Sequence, residues 1–509
     1  MDYLENLFSA LGVGFGTALT PENLLFGLIG VILGTAIGVL PGLGPAVAIS
    51  LLLPMTFGLD PIAAFIMFGG IYYGAMYGGA TTAILVNTPG CSASAVSTFD
   101  GHPLARKGQA GKALLAAIVG SFIGGTFATI MLMLLAPVLV ELALVFGPPE
   151  YFALMLFALT MVAAIGSGSL SKSIFTLLLG IGIAMIGIDL QTGTARLTFG
   201  IPELYSGINV VLAGIGLFAV GEGLWIASGG GDDSQAEYHS LGRELWMTAG
   251  EWKRSGWAWA RGTVLGFFAG VLPGSGGTLA TFMAYGIEKR ISKHPEKFGT
   301  GIVEGVAAPE AANNAAAGGS MVPLLALGIP GSATTAVMLV AFQMYGLQPG
   351  PLLFENNPDL VWGLIASLYI ANVLLVVINL PLVGIWVKLL QIPPGILYSA
   401  VLIFSTLGAY SLKGSIGDVV IVFFLGILAF TLRRFGFPVA PVLFGIVLGP
   451  LIEQEFRRSM SISSGDLTIF FTRPVALSFL ALTVLSIVAS IGRKKQNLPD
   501  LAAQSSEDD

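Results

Sequence analysis

The feature of this sequence that most limits its fold is a set of long stretches with no acidic or basic residue. A helix needs only about 20 apolar residues to cross a bilayer. Each uncharged stretch exceeds that length. These runs are also longer than the apolar segments that form the core of a soluble protein. They cover residues 23–59, 61–99, 113–140, 262–287, 311–354 and 360–387. The sequence therefore predicts an all-α polytopic membrane protein.

Composition supports this class and excludes others. Of the 509 residues, 55% are hydrophobic and 10% are charged, whereas soluble domains carry about 25% charged residues. Cys91 is the single cysteine, so an internal disulfide is impossible. The net charge of −6 and the lack of a basic block predict no nucleic-acid partner. The N-terminal residues MDYLENLF hold two acids and no base, which argues against a cleaved signal peptide.

Four short motifs occur twice, in the same order, which indicates an internal repeat. The best preserved pair is GVLPGLG at 38–44 and GVLPGSG at 270–276. The other pairs are 89–96 with 330–337, 148–149 with 393–394, and 200–202 with 436–438. The two copies run roughly over 22–228 and 257–455.

The basic loops indicate that the two copies have opposite orientations. In the first copy the basic loop, 100–112, follows the second Pro-Gly motif, whereas in the second copy the basic loop, 288–297, precedes it. The equivalent loops, 55–60 and 346–359, contain no Lys or Arg. Because Lys and Arg concentrate on the cytoplasmic side, equivalent loops should lie on opposite faces of the membrane. This pattern predicts an inverted-topology repeat.

A topology follows, with about 12 crossings and both termini in the cytoplasm. The predicted crossings are 4–20, 61–98, 113–140, 150–166, 172–188, 206–228, 302–345, 360–388, 394–410, 415–432, 437–453 and 474–492. Segments 22–57 and 258–287 are predicted to form re-entrant-type hairpins with the first Pro-Gly motif at the tip. The arginines of 454–473 fit a periplasmic loop less well. The domains are the N-terminal segment 1–21, first inverted repeat 22–228, central cytoplasmic loop 229–256, second inverted repeat 257–455, C-terminal span 456–492 and disordered cytoplasmic tail 493–509.

The Pro-Gly motifs interrupt apolar segments and predict broken helices. Proline removes a backbone donor and glycine loosens the helix, so the helix should stop and restart there. A simple kink or a tight loop outside the membrane is the alternative. The same motifs at matching places in both copies favour unwound backbone that lines a polar cavity within the membrane. The runs 72–90 and 309–335 also hold Ser, Thr and Asn side chains beside these glycines.

Few ionisable residues fall near membrane depth. Glu222, Glu304 and Glu310 are the candidates, and each is either functional or close to water at a helix end. The three histidines all fall in predicted loops, which excludes a buried histidine catalyst. Gly274-Ser275-Gly276 is typical of some intramembrane proteases, but no base accompanies it. We therefore predict that the protein is not an enzyme and that it has no cofactor.

Three stretches resemble a known family. They are residues 38–61 (GVLPGLGPAVAISLLLPMTFGLDP), 72–90 (YYGAMYGGATTAILVNTPG) and 304–335 (EGVAAPEAANNAAAGGSMVPLLALGIPGSATT). All three closely resemble the large membrane subunit of tripartite tricarboxylate transporters, the TctA type, and the likeness covers residues 20 to 455. The resemblance implies symport of an organic di- or tricarboxylate such as citrate across the bacterial inner membrane. It also implies two partners, a periplasmic solute-binding protein and a small four-helix membrane subunit, and a Na⁺ or H⁺ gradient as the driving force.

Two other functions remain open at this point, a stand-alone carboxylate carrier and an intramembrane enzyme. For the transporter we expect the anion to bind where the four broken helices restart, because each helix N-terminus carries roughly +0.5 charge and free N–H groups. Four such ends give about +2, which balances a dicarboxylate. The expected substrate-binding residues are Gly42, Gly44, Gly90, Ser92, Gly274, Ser275, Thr278, Asn314, Gly331 and Ser332. Asn87 and Asn313 are the expected ligands of a co-transported Na⁺. We also expect membrane lipid to surround the chain.

Overall fold

The fold is α-helical almost throughout, as the uncharged stretches predict. A computed structural model describes residues 2–40, 43–165, 169–189, 192–229, 246–274, 276–389, 392 and 394–492. The described strands, β1 (Gly187–Ile188) and β2 (Ala195–Arg196), form one short antiparallel hairpin. The helices are α1 (Asp2–Ala18), α2 (Pro21–Val39), α3 (Pro45–Leu52), α4 (Pro61–Val86), α5 (Ser97–Arg106), α6 (Ala110–Ala143), α7 (Pro148–Ile165), α8 (Leu170–Ala184), α9 (Val210–Gly214), α10 (Gly221–Ala227), α11 (Ala249–Val271), α12 (Gly276–Ile291), α13 (Glu304–Leu327), α14 (Ala333–Met344), α15 (Pro351–Asn356), α16 (Pro358–Leu389), α17 (Pro394–Lys413), α18 (Ile416–Arg434), α19 (Ala440–Ile462), α20 (Ile469–Thr472) and α21 (Pro474–Gly492).

Length and apolar composition confirm the polytopic membrane class. Among the described residues, 7 helical segments are long and apolar enough to cross a bilayer. Shorter apolar helices, such as α8 and α14, accompany them. A π-helical turn, Ile215–Val220, joins α9 to α10 and makes them one continuous segment.

In each repeat the first long helix packs against another long helix through a row of glycines. Helix α2 packs on α4, and α11 packs on α13. On α2 and on α11, three glycines spaced one turn apart leave no room for a Cβ atom. A Cβ there would overlap a backbone carbonyl of α4 or of α13, respectively. Close approach of this kind is how helices associate in a membrane. The glycines are Gly30, Gly34 and Gly38 on α2 and Gly262, Gly266 and Gly270 on α11.

The two repeats are interlocked. Helix α6 of the first repeat packs along α13 and α11 of the second, and α16 of the second packs along α4 and α2 of the first. Asn372 strengthens the contact between α16 and α6. Its amide donates to the carbonyl of Phe122 and to the hydroxyl of Thr126, both at 2.8 Å. Helices from both repeats therefore surround α4 and α13 and bury them.

Part of the predicted central loop is helical. The sequence predicts a loop over 229–256, but α11 begins at Ala249. Thr248 and Glu251 form a capping box there, in which the side chain of each residue bonds to the backbone N–H of the other. This local signal fixes the start of α11 earlier than hydropathy suggests. Residues 230–245 and the tail 493–509 lie outside the described residues.

The arginines that fit poorly in the loop 454–473 form ion pairs. Arg457 contacts Asp189 at 3.0 Å and Glu453 at 2.6 Å. Arg473 contacts the buried Glu150 of α7 at 3.4 Å. These side chains therefore tie the segment 454–473 to the first repeat.

The inverted relation of the repeats remains a prediction that labelling can test. Single cysteines at Gly108 and at Lys293 should react with a membrane-impermeant thiol reagent only from the cytoplasmic side. A cysteine at Pro349 should react only from the periplasmic side. A variant in which Cys91 is replaced by alanine supplies the background. If positions 108 and 349 react from the same side, the repeats are not inverted.

Candidate functional site

The first Pro-Gly motif of each repeat breaks a helix, as predicted. Helix α2 ends at Val39 and α3 begins at Pro45 with Gly44 as its N-cap. Helix α11 ends at Val271 and α12 begins at Gly276. Between them Gly274 has a φ of +78°, a value that disfavours any residue with a Cβ. The predicted site residues Gly42 and Ser275 lie outside the described residues.

The second Pro-Gly motif also follows a helix end in each repeat. The residue after α4, Asn87, has φ +57°, and the residue after α13, Gly328, has φ +69°, so both helices have a left-handed C-cap. Asparagine is one of the few residues other than glycine that accept this conformation. The side chain of Asn87 is exposed. The structure thus gives Asn87 a conformational role and does not bring its side chain to Asn313.

The breaks pack on one another within each repeat. The amide of Gly90 donates to the carbonyl of Gly79 at 3.4 Å, and a Cβ at Gly90 would overlap the carbonyl oxygen of Gly38. In the second repeat the amide of Gly274 donates to the carbonyl of Gly331 at 3.0 Å. Three of the predicted glycines, Gly90, Gly274 and Gly331, thus serve close backbone approach, which fixes where the following helices start.

Side chains join the breaks of the two repeats. The hydroxyls of Ser92 and Thr278 are hydrogen-bonded at 2.9 Å, which connects the turn before α5 to the first turn of α12. The hydroxyl of Tyr72 on α4 bonds to Ser320 at 3.0 Å and to Ser332, the N-cap of α14, at 3.1 Å. Helix restarts from opposite repeats therefore meet through predicted residues. Tyr72 was missed by the sequence reasoning, although it begins the run 72–90.

Helix α13 carries two adjacent, fully buried amides, Asn313 and Asn314. Asn313 donates from Nδ2 to the carbonyl of Met76 at 3.2 Å, while its Oδ1 has no partner in the structure. That oxygen lies 2.9 Å from the place where a Cβ on Gly277 would sit. Neither the Oδ1 nor the Nδ2 of Asn314 has a partner. Buried polar atoms are normally hydrogen-bonded, so these amide atoms are free to bond to a further group.

The three candidate glutamates have different surroundings. Glu304 pairs with Arg254 at 2.5 Å at the start of α13, and Glu222 pairs with Arg433. Glu310 is completely buried in α13 and accepts a hydrogen bond from the hydroxyl of Ser97, the first residue of α5. Glu304 and Glu222 are thus held by arginines, and Glu310 is held by a neutral side chain.

Asp100 on α5 anchors the loop before α13. Its Oδ1 accepts from the amides of Gly299, Gly301 and Ile302 at 2.8–2.9 Å. Its Oδ2 accepts from the hydroxyl of Tyr285 at 2.9 Å. Burial raises the pKa of the Asp100 carboxyl, and these donors oppose the rise. A carboxylate from the first repeat therefore fixes a loop of the second.

The described cavities lie away from the breaks. One of about 430 Å³ is lined by Glu222 and Arg433, and one of about 420 Å³ is lined by Asp189 and Arg457. No predicted site residue lines either of these two cavities. The predicted residues instead pack against one another. Among the described residues, no three His, Cys, Asp or Glu side chains cluster as they would around a metal ion.

Comparison with known proteins agrees with this arrangement. The model of the tripartite tricarboxylate transporter TctA family matches residues 24–444, which include all four breaks. The chain belongs to this family. It is thus a multi-pass large subunit of a tripartite system, and the resemblance of 38–61, 72–90 and 304–335 is confirmed.

Two relatives of the chain come from Agrobacterium vitis. One, described as an uncharacterized 52.8 kDa protein in the TAR-I ttuC' 3'region, is 47% identical over 500 residues, which cover 97% of this chain and 99% of the relative. The other, described as an uncharacterized protein in the TAR-II ttuC' 3'region, is 48% identical over 237 residues, 46% of this chain and 98% of the relative. No solved structure matches the chain.

Proposed function

We propose that this TctA-family subunit moves an organic di- or tricarboxylate across the bacterial inner membrane, driven by a Na⁺ or H⁺ gradient. A periplasmic binding protein delivers the substrate and a small membrane subunit completes the complex. The observation that carries the proposal is the contact between Ser92 and Thr278, which joins helix restarts of the two repeats. A site shared by two interlocked repeats opens to either side when one repeat moves against the other.

The arrangement suits an anion. Helices α3, α12 and α14 restart at the breaks, as does α5 with its leading turn Ser92–Val96. Their N-termini together offer about +2 of partial charge, enough to balance a dicarboxylate without Lys or Arg. Ser92 is exposed and Thr278 is partly buried, so their hydroxyls are accessible hydrogen-bond donors. We infer that a substrate carboxylate replaces the bond between these two hydroxyls.

The cation belongs in the same region. The side-chain oxygen of Asn313 faces the first turn of α12, and no donor bonds to it. This oxygen can therefore coordinate a bound cation or accept a hydrogen bond from a group that carries a proton. This supports the predicted role of Asn313. For Asn87, the exposed C-cap position offers no such support.

Uptake by reconstituted vesicles tests the proposal. The chain with its small subunit should import radiolabelled succinate or citrate only when the binding protein is loaded and a Na⁺ or H⁺ gradient is present. The reason is that the binding protein supplies the substrate and the gradient supplies the free energy. Vesicles with the small subunit alone are the control.

Two results would change the assignment. Full uptake without the binding protein would make the chain a stand-alone carrier. If no di- or tricarboxylate of a broad panel enters under any gradient, carboxylate transport itself is wrong.

A further inference from the structure

The larger of the two described cavities lies where two candidate membrane spans end. Its volume of about 430 Å³ is within the range of about 300–1,000 Å³ that small-molecule sites occupy. The spans Val210–Ala227 and Ile416–Arg434 both end beside it. Trp225, which contacts the lining residue Arg433, is of a type enriched at membrane–water interfaces. Because the ends of a span lie next to the polar region of the bilayer, the cavity is at the depth of the lipid head groups.

Glu222 supplies this cavity with a hydrogen-bond acceptor. Its Oε2 accepts a hydrogen bond from Nη1 of Arg433. Its Oε1 is buried and has no hydrogen-bond partner within the described part of the chain. A buried carboxylate oxygen without a donor is costly. The cavity therefore suits a ligand that donates an N–H group to Glu222.

Two basic side chains border the same cavity. The side chain of Arg433 is 39% exposed, and its guanidinium carbon lies 4.8 Å from the centre of the Trp225 ring. The Nζ of Lys172 lies 4.8 Å from the centre of the Phe437 ring and 3.2 Å from the place where a Cβ on Gly436 would sit. Both Phe437 and Gly436 line the cavity. Two cations and one carboxylate leave an excess of one positive charge, which suits a phosphate group.

The remaining wall of the cavity is apolar. The π-helical turn Ile215–Val220 directly precedes α10, and its residues Leu217 and Phe218 line the cavity together with Val439. Turns of this kind are rare and are frequent at functional sites. The cavity thus combines a carboxylate and two cations with a surface on which the apolar part of a lipid can pack.

We propose that this cavity binds the head group of a phospholipid that carries both a primary ammonium and a phosphate, as phosphatidylethanolamine does. The ammonium donates to Oε1 of Glu222, and the phosphate accepts from Arg433 and Lys172. Hydrogen bonds between charged groups are about twice as strong as those between neutral groups. Phosphatidylglycerol has the phosphate but brings no amine to the carboxylate, and phosphatidylcholine has no N–H group. This site does not depend on the proposed transport function.

A series of lipids tests the proposal without any change to the protein. Phosphatidylethanolamine, its N-methyl and N,N-dimethyl derivatives, phosphatidylcholine and phosphatidylglycerol, all with the same acyl chains, compete in equal amounts for the purified full-length chain. Native mass spectrometry measures which lipid is retained. Phosphatidylethanolamine should be retained about tenfold more than phosphatidylcholine, because a hydrogen bond to a charged group is worth at least that factor. The largest fall should come at the last methyl group, which removes the last N–H. Equal retention of these two lipids, or a preference for phosphatidylglycerol, would overturn the proposal.

Three variants assign the two parts of the head group. Glu222→Gln should reduce the tenfold preference to about threefold, because a neutral acceptor forms a hydrogen bond about half as strong. Lys172→Gln should weaken the retention of phosphatidylethanolamine and phosphatidylcholine alike, since both carry the phosphate. Glu453→Gln is the matched control, because Glu453 lines the other cavity and pairs with Arg196 at 2.8 Å and Arg457 at 2.6 Å. It should keep the wild-type preference. An unchanged preference in Glu222→Gln contradicts the role of that carboxylate.

A soluble competitor distinguishes a lipid from a free metabolite with the same polar group. Glycerophosphoethanolamine carries the ammonium and the phosphate but no acyl chains. In equal amount it should not displace phosphatidylethanolamine, because burial of acyl chains on the apolar wall adds to the affinity of the lipid. Displacement by the soluble compound would overturn the assignment to a lipid.

Discussion

Replacing Gly90 with alanine is expected to abolish carboxylate uptake. The added Cβ would overlap the carbonyl oxygen of Gly38 and would lie 2.7 Å from the Cα of Gly79. Both neighbours are backbone atoms of packed helices, so neither can rotate away. Overpacking a tight contact costs about 1–3 kcal/mol, and a clash with backbone belongs at the upper end of that range. The turn that carries Ser92 must therefore move from Thr278. The measurement is binding-protein-dependent uptake in vesicles.

Two further variants make this result interpretable. Gly286→Ala on α12 adds the same methyl group where no atom lies within 4 Å, so uptake should be unchanged. Gly331→Ala places a Cβ 2.8 Å from the Gly270 carbonyl oxygen and should reduce uptake as Gly90→Ala does. Size-exclusion chromatography reports whether each variant still assembles. Normal uptake by Gly90→Ala would show that the break does not need this close approach.

Replacing Arg261 with alanine should lower the free energy of unfolding by about 3 kcal/mol, the lower end for breaking a buried ion pair. The guanidinium of Arg261 on α11 holds Glu288 on α12 through two hydrogen bonds, of 2.9 and 2.6 Å. The side chain of Glu288 is only 6% exposed, so the variant leaves a carboxylate buried without a partner. The arginine is 36% exposed, which places the effect at the lower end. Denaturant unfolding in detergent measures the loss.

A second substitution should restore most of this stability. In Arg261→Ala/Glu288→Gln the buried charge is absent, so the desolvation penalty of the lone carboxylate disappears. Lys289→Ala, at the exposed neighbouring position, should change the free energy by no more than about 0.5 kcal/mol. If the double variant is as unstable as Arg261→Ala, packing of the arginine stem and not charge explains the loss.

The sequence by itself determined the fold class and the places where helices break. Uncharged runs such as 61–99 are apolar enough to lie in the membrane. Their backbone N–H and C=O groups can be hydrogen-bonded there only if the runs form helices. Proline and glycine in 38–44 and 270–276 stop a helix by local chemistry, and α2 and α11 end at these motifs. The family followed from the same residues. These features depend on neighbours along the chain, so sequence reasoning reaches them.

Tertiary structure alone decided which of the breaks touch and what each polar side chain does. The sequence groups Asn87 with Asn313, but Asn87 caps α4 in a left-handed conformation, whereas Asn313 is buried against Met76. Nothing in the sequence pairs Ser92 with Thr278, or Ser97 with Glu310, because about 200 residues separate the members of each pair. Contacts of that range depend on how α6 and α16 cross between the repeats. A glutamate that lacks a cation partner is recognised only when the side chains of every packed helix are in place.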